Sequence, residues 1–169
     1  MIYLIGTARS GSSSFLKYLQ EFYSDKIVKK SLIHRVPDEY NSMYEFGKEL
    51  LSKYPDSILL DRKNKRAQSE SLCFRKLKYG DDFKHYFSRE VYDQLDEGYI
   101  KEATLEFVNQ SQTLKKLSEE FNKQILYYED LFYSTLYLKE RGLYNEDLYD
   151  KYLHPRHKQR LFKQNNNLL

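Results

Sequence analysis

The chain has 169 residues and a formal net charge of +3, with both signs spread along its length. That suffices for one domain with one core, which 17 Tyr and 10 Phe help to fill, and it argues against a protein that coats nucleic acid. The single cysteine, Cys73, excludes an intrachain disulfide and a multi-cysteine metal site, and neither a membrane-spanning run nor a signal peptide is legible, so the expectation is a cytoplasmic protein.

A short apolar run at 2–5 predicts a buried strand. It leads through the loop TARSGSSS into a helix with Phe15, Leu16, Leu19, Phe22 and Tyr23 on one face. The segment DKIV at 25–28 offers a further strand. Tyr44, Phe46, Gly47, Leu50 and Leu51 mark a second helix, closed by Tyr54 and Pro55. SILL at 57–60 reads as a strand, and residues 67–77 as a helix that buries Cys73. From Ser88, read as an N-cap, a charged segment runs to about Asn122 with imperfect helical spacing. Gly98 is expected to break or bend it, since an interior glycine costs about 1 kcal/mol against alanine. QILYY at 124–128 is the last buried strand, and a helix near 131–141 follows. Beyond Gly142 the chain turns to Tyr, Asn and basic residues and ends in NNNLL, a tail expected to fray. Strands alternating with helices predict a single α/β domain, a mostly parallel sheet flanked by helices.

The loop carries the strongest chemical signal. Gly6 to Ser13 reads G-x-x-x-x-G-S-S, the Walker A spacing with Ser12 where the nucleotide-kinase loop has lysine. Strand, tight loop and helix N-terminus place backbone N–H groups around an anion. The amides of Gly11, Ser12 and Ser13 would face it, with the hydroxyls of Ser10, Ser12 and Ser13 as further donors. Arg9 adds a charge and a planar fork suited to phosphate or sulfonate oxygens. The plain alternative is a βα turn with serine caps. A second constellation is SILLDRKNKRAQSESL. Its strand ends at Asp61–Arg62, which puts Arg62 at the carboxyl edge of the sheet, where open α/β folds bind ligands. Ser71 lies two to three turns into the next helix, and Lys63, Lys65 and Arg66 read as surface charge.

IYLIGTARSGSSSFLKYL resembles the 5′-phosphosulfate loop of the P-loop sulfotransferases, with Ala8 where that family usually has proline. LLDRKNKRAQSESL is similar to their second element, Arg62, Asn64, Gln68 and Ser71 matching R-x-N-x-x-x-Q-x-x-S. ILYYEDLF at 125–132 is similar to their late Y-E-D-L strand and turn. The resemblance implies a sulfotransferase-like domain over 1–163 and a tail at 164–169. It implies 3′-phosphoadenosine 5′-phosphosulfate (PAPS) as sulfuryl donor, with Arg62 and Ser71 gripping its 3′-phosphate. It also implies a hydroxyl or amine acceptor and no required metal. No G-x-x-G loop closes the 3′-phosphate near the C-terminus; the basic run HPRHKQR reads as a solvated tail or a substitute. The chain is short for that family, so its acceptor-binding part is minimal or shared with another subunit.

Sulfuryl transfer needs positioning and charge stabilisation, for which Arg9 and the loop amides stand ready, and a base for the acceptor. KKSLIHRVPDEYNS offers Glu39 as first choice and His34 as second; P-D-E is equally the start of a helix. Two other functions stay open. A P-loop NTP-dependent kinase would use Ser13 on magnesium and Asp61 as its Walker B acid, but lacks the loop lysine. A non-catalytic nucleotide-binding protein would keep the fold without the base.

Overall fold

The apolar runs at 2–5, 57–60 and 124–128 all become strands. The computed structural model describes residues 1–79 and 96–154. In chain order these form β1 Ile2–Gly6, α1 Ser12–Phe22, β2 Val28–Leu32, α2 Met43–Lys53, β3 Ile58–Asp61 and α3 Lys65–Tyr79. Then come α4 Glu97–Glu120, β4 Ile125–Tyr127, α5 Tyr128–Phe132, α6 Leu136–Glu140 and α7 Glu146–Tyr152. The sheet is parallel throughout, in the order β2-β1-β3-β4. Leu4 lies opposite Lys30 on one side and Ile58 on the other, which makes β1 a central strand.

Strand periodicity divides the core. Ile2 and Leu4 of β1, with Leu60 and Leu126, face α1, α5, α6 and α7. Ile5 and Leu59 point the other way, against Leu51 of α2 and Leu114 and Leu117 of α4. Both faces are covered, so the central strands are apolar on both sides. The chain passes from β1 outward to β2, then crosses back to β3 on the other flank of β1. Strand order therefore reverses between β1 and β3, and the carboxyl ends at such a reversal are where open α/β sheets form their ligand crevice.

Several expectations change. The strand expected at 25–28 is β2, Val28–Leu32, displaced because it is an edge strand. Only Val28 is fully buried, and Lys29 and Lys30 face solvent, as edge strands favour. α4 begins at Glu97, beside Gly98, and the part of the charged segment before Asp96 lies outside the described residues. Gly98 sits in the first turn, where its amide donates to the Asp96 N-cap at 2.7 Å. The N-cap reading of Ser88 lies outside the described residues, as do the tail at 164–169 and all of HPRHKQR except His154. The helix expected near 131–141 is two short ones, α5 and α6.

The segment after Gly142 is structural. Asn145 caps α7 by accepting from the Leu148 amide at 3.0 Å, and Leu143, Tyr149 and Leu153 pack on the α1 side of the core. The fully buried Tyr18 of α1 ties it down, donating to the Leu143 carbonyl and accepting from the Asn145 amide at 3.0 Å. Tyr18→Phe takes this partner from the buried Leu143 carbonyl and from the Asn145 amide and is expected to cost about 1–3 kcal/mol in urea unfolding. Among the described residues, no helix is long and apolar enough to cross a membrane.

Candidate functional site

The turn after β1 sits at this reversal of strand order and is braced from beneath. The Thr7 amide donates to the Leu60 carbonyl at 3.2 Å, and its hydroxyl donates to Asp61 Oδ1 at 2.9 Å. Gln68 Nε2 donates to Thr7 Oγ1 at 2.9 Å and to the Ala8 carbonyl. The buried Ser10 hydroxyl donates to the Thr7 carbonyl at 2.7 Å, so it closes the loop on itself. Arg9 and Gly11 both hold left-handed backbone, φ 59° and 78°, of the kind from which anion-binding concavities are built. Gly11 is the N-cap of α1 and offers no side chain, so the first-turn amides of Ser12 and Ser13 have no capping partner. They carry the positive end of the helix dipole toward the crevice. Ser12 is buried, whereas the exposed Ser13 accepts from Lys30 Nζ at 2.9 Å.

Two arginines flank this turn. Arg9 Nε and Nη2 both donate to Ser71 Oγ, at 3.0 and 2.8 Å, across 62 residues of sequence. Arg62 lies with its guanidinium 4.6 Å from the centre of the Tyr128 ring. Its Nε is buried, stands 3.9 Å from Glu129 Oε1 and makes no hydrogen bond. Glu129 is otherwise engaged, accepting from the Lys63 and Asn64 amides at 2.9 and 3.1 Å. The Arg62 cation is thus oriented by an aromatic face and a distant carboxylate. Asn64 Oδ1 accepts from the Ala67 amide at 2.9 Å and starts α3. Arg62, Asn64, Gln68 and Ser71 each take a distinct part here: stacked cation, helix cap, loop brace and Arg9 partner. Burial pushes the Tyr128 phenol up to about 12, against the pull of Arg62.

Comparison with family models, curated proteins and solved structures finds no match for the chain. The site is therefore read from its own geometry.

The far flank is formed by the end of β2. The Ile33 amide donates to the Gly6 carbonyl at 3.0 Å, so the half-buried His34 follows a residue anchored to the start of the loop. Burial and Arg35 lower the His34 pKa from 6.5, with Glu106 of α4 opposing them. Asp38 and Glu39 are exposed in a turn in which the Tyr40 amide donates to the Pro37 carbonyl at 3.0 Å. P-D-E does not open α2. Ser42 does, accepting from the Glu45 amide at 3.2 Å while Glu45 Oε2 accepts from the Asn41 amide at 3.0 Å.

Sequence reasoning missed Lys30. With the strand expected at 25–28, both lysines fell into a loop; V-K-K-S-L between two apolar residues was the signal for an edge strand. Lys30 is an exposed residue whose ammonium loses part of its hydration on donating to Ser13 of α1. That desolvation, and then Arg35, lower its pKa. A lysine from the neighbouring strand thus stands beside the helix start, where the loop's own sequence has Ser12.

Asp61 is a buried acid of the site. It accepts from Lys65 Nζ at 2.6 Å as well as from Thr7. Its charge is balanced within the protein.

Proposed function

We propose that the chain is a P-loop sulfotransferase that moves a sulfuryl group from PAPS to a hydroxyl or amine acceptor. The observation that carries this reading is the meeting of Arg9 and Ser71 beside the uncapped start of α1, with Arg62 stacked nearby. Two arginines and a ring of N–H donors suit a donor with phosphate at both ends, one on the loop and one near Arg62 and Ser71. The pairing of Asp61 with Lys65 speaks against Asp61 as the metal-holding acid of a kinase.

In the reaction, the acceptor oxygen or nitrogen forms a bond to sulfur as the bond from sulfur to the bridging oxygen breaks. That electron pair stays on the 5′-phosphate of the departing adenosine 3′,5′-bisphosphate. Arg9, the Ser12 and Ser13 amides and Lys30 are the groups that would meet the growing charge. His34 would take the acceptor proton, because it adjoins the loop whereas Glu39 stands off in an exposed turn. A neutral imidazole is the active form. Since His34 is shifted below its ordinary 6.5, activity should rise with pH through a limb centred below that value and then level off. His34→Phe should remove the limb and slow transfer by roughly 10²–10⁴. A pH–rate profile of both proteins checks this.

The reading itself is tested by calorimetric titration with adenosine 3′,5′-bisphosphate, using magnesium–ATP as comparison. Tight, metal-independent binding that weakens in Ser71→Ala is the expected result. Preference for magnesium–ATP would replace the sulfotransferase by a kinase, and binding of neither would leave a plain turn.

A further inference from the structure

Two buried side-chain atoms are without hydrogen-bond partners: His34 Nδ1, just past β2, and Gln110 Oε1 on α4. Gln110 is 2% exposed, on the inward face of α4. An unsatisfied buried acceptor of this kind is costly and calls for an explanation. The two atoms are chemically complementary, since a protonated Nδ1 donates and an amide oxygen accepts. Their elements adjoin: Ile33, the residue before His34, packs in the same cluster as Leu114 and Leu117 of α4. Glu106, one turn before Gln110, already acts on both partners. Its Oε1 accepts from Gln110 Nε2 at 3.0 Å, and its charge acts on the His34 ring from the exposed side.

We propose that Gln110 is a positioning residue for His34. In the working site the imidazole donates Nδ1–H to Gln110 Oε1, and Glu106 holds the Gln110 amide in the orientation that presents its oxygen. The consequence is a fixed tautomer. With the proton on Nδ1, the other nitrogen, Nε2, is left unprotonated with its lone pair available. That is the state a base must have before it removes a proton, and holding it ready by a hydrogen bond at the other nitrogen is a general device. The charged groups acting on the ring are Arg35 beside it and Glu106 across from it on α4; Gln110 adds no charge, so it selects the tautomer without favouring the imidazolium. The catalytic use of this pair rests on the sulfotransferase reading, whereas the pairing does not.

Nitrogen-15 NMR of histidine side chains tests it on the full chain, free and saturated with adenosine 3′,5′-bisphosphate. The chain has four histidines, and the His34 signals are those lost in His34→Phe. Above the His34 pKa, the expected spectrum shows a protonated Nδ1 and an unprotonated Nε2. In Gln110→Met, similar in length but without the amide, that preference should disappear. In Gln110→Glu, which keeps an acceptor oxygen and adds a charge, the tautomer should persist and the His34 pKa should rise. Since Gln110→Met touches a buried position, Glu106→Gln at the exposed end gives a second variant, in which the preference should weaken. A His34 protonated on Nε2 in wild type, or a tautomer indifferent to Gln110→Met, overturns the pairing. Failure of the bisphosphate to bind while the Nδ1–H tautomer stands would overturn the sulfotransferase reading and leave the pairing intact.

Discussion

Gly11→Ala is expected to lower stability by about 3 kcal/mol and to abolish nucleotide binding in whatever protein still folds. Two costs combine. The residue holds φ 78°, where a Cβ costs roughly 1–2 kcal/mol. An alanine Cβ there would also lie 2.6 Å from the Tyr128 ring and 2.8 Å from the Phe132 ring. Those rings stack on each other at 4.3 Å and belong to the core, so neither moves freely. Forcing them apart adds about 1–3 kcal/mol. The same displacement shifts Tyr128 under Arg62 and the helix start under the loop, so binding suffers beyond the loss of stability. Urea unfolding of Gly11→Ala with bisphosphate titration separates the two effects. An unchanged midpoint would mean that the aromatic pair does not seat the loop.

Arg62→Ala should behave in the opposite way: little change in stability and a large loss of affinity. In the free protein Arg62 makes no hydrogen bond through Nε, and its carboxylate neighbour is 3.9 Å away. Glu129 keeps its two backbone amides when the arginine is removed. The midpoint of unfolding should therefore move by the equivalent of ~1 kcal/mol or less, the lost packing on Tyr128. Toward a bound phosphate, by contrast, a guanidinium supplies charge-assisted hydrogen bonds worth about 1.5–3 kcal/mol each, or ~10–150-fold in affinity for one. Arg62→Lys should recover only part of this, because a lysine ammonium cannot form the bidentate fork or lie flat on the ring. Calorimetry with adenosine 3′,5′-bisphosphate on all three proteins gives the ranking. An affinity equal in wild type and Arg62→Ala would remove Arg62 from the site.

The parts of the site legible in the sequence share a property: each is a contiguous stretch whose local chemistry is self-sufficient. Gly6 to Ser13 follows a buried strand and precedes an amphipathic helix, so its turn and its row of amides can be foreseen without the rest of the chain. Arg62 is placed at the sheet edge by SILL running out directly before it. β2 was misplaced because a partly solvated edge strand has no continuous apolar run to advertise it. Lys30 went unnoticed for the same reason. Glu129 was visible only as part of Y-E-D-L, and its hold on the Lys63 and Asn64 amides depends on β4 lying beside β3. Gln110 had no signal at all, being one polar residue on a long helix whose buried face is defined only when α4 packs on the sheet.

By itself, then, the sequence determined the α/β alternation, the strands β1, β3 and β4, the first three helices and the glycine and serine turn. These follow from periodicity, apolar runs and short-range backbone geometry. Only the tertiary structure decided that Arg9 meets Ser71, that Tyr128 and Phe132 seat Gly11, that Lys30 reaches Ser13, and that α7 closes over Tyr18. Those contacts join residues far apart in the chain, and nothing in the local pattern of either partner encodes them. They arise when the parallel sheet assembles in the order β2-β1-β3-β4 and brings the carboxyl ends of its strands to one edge.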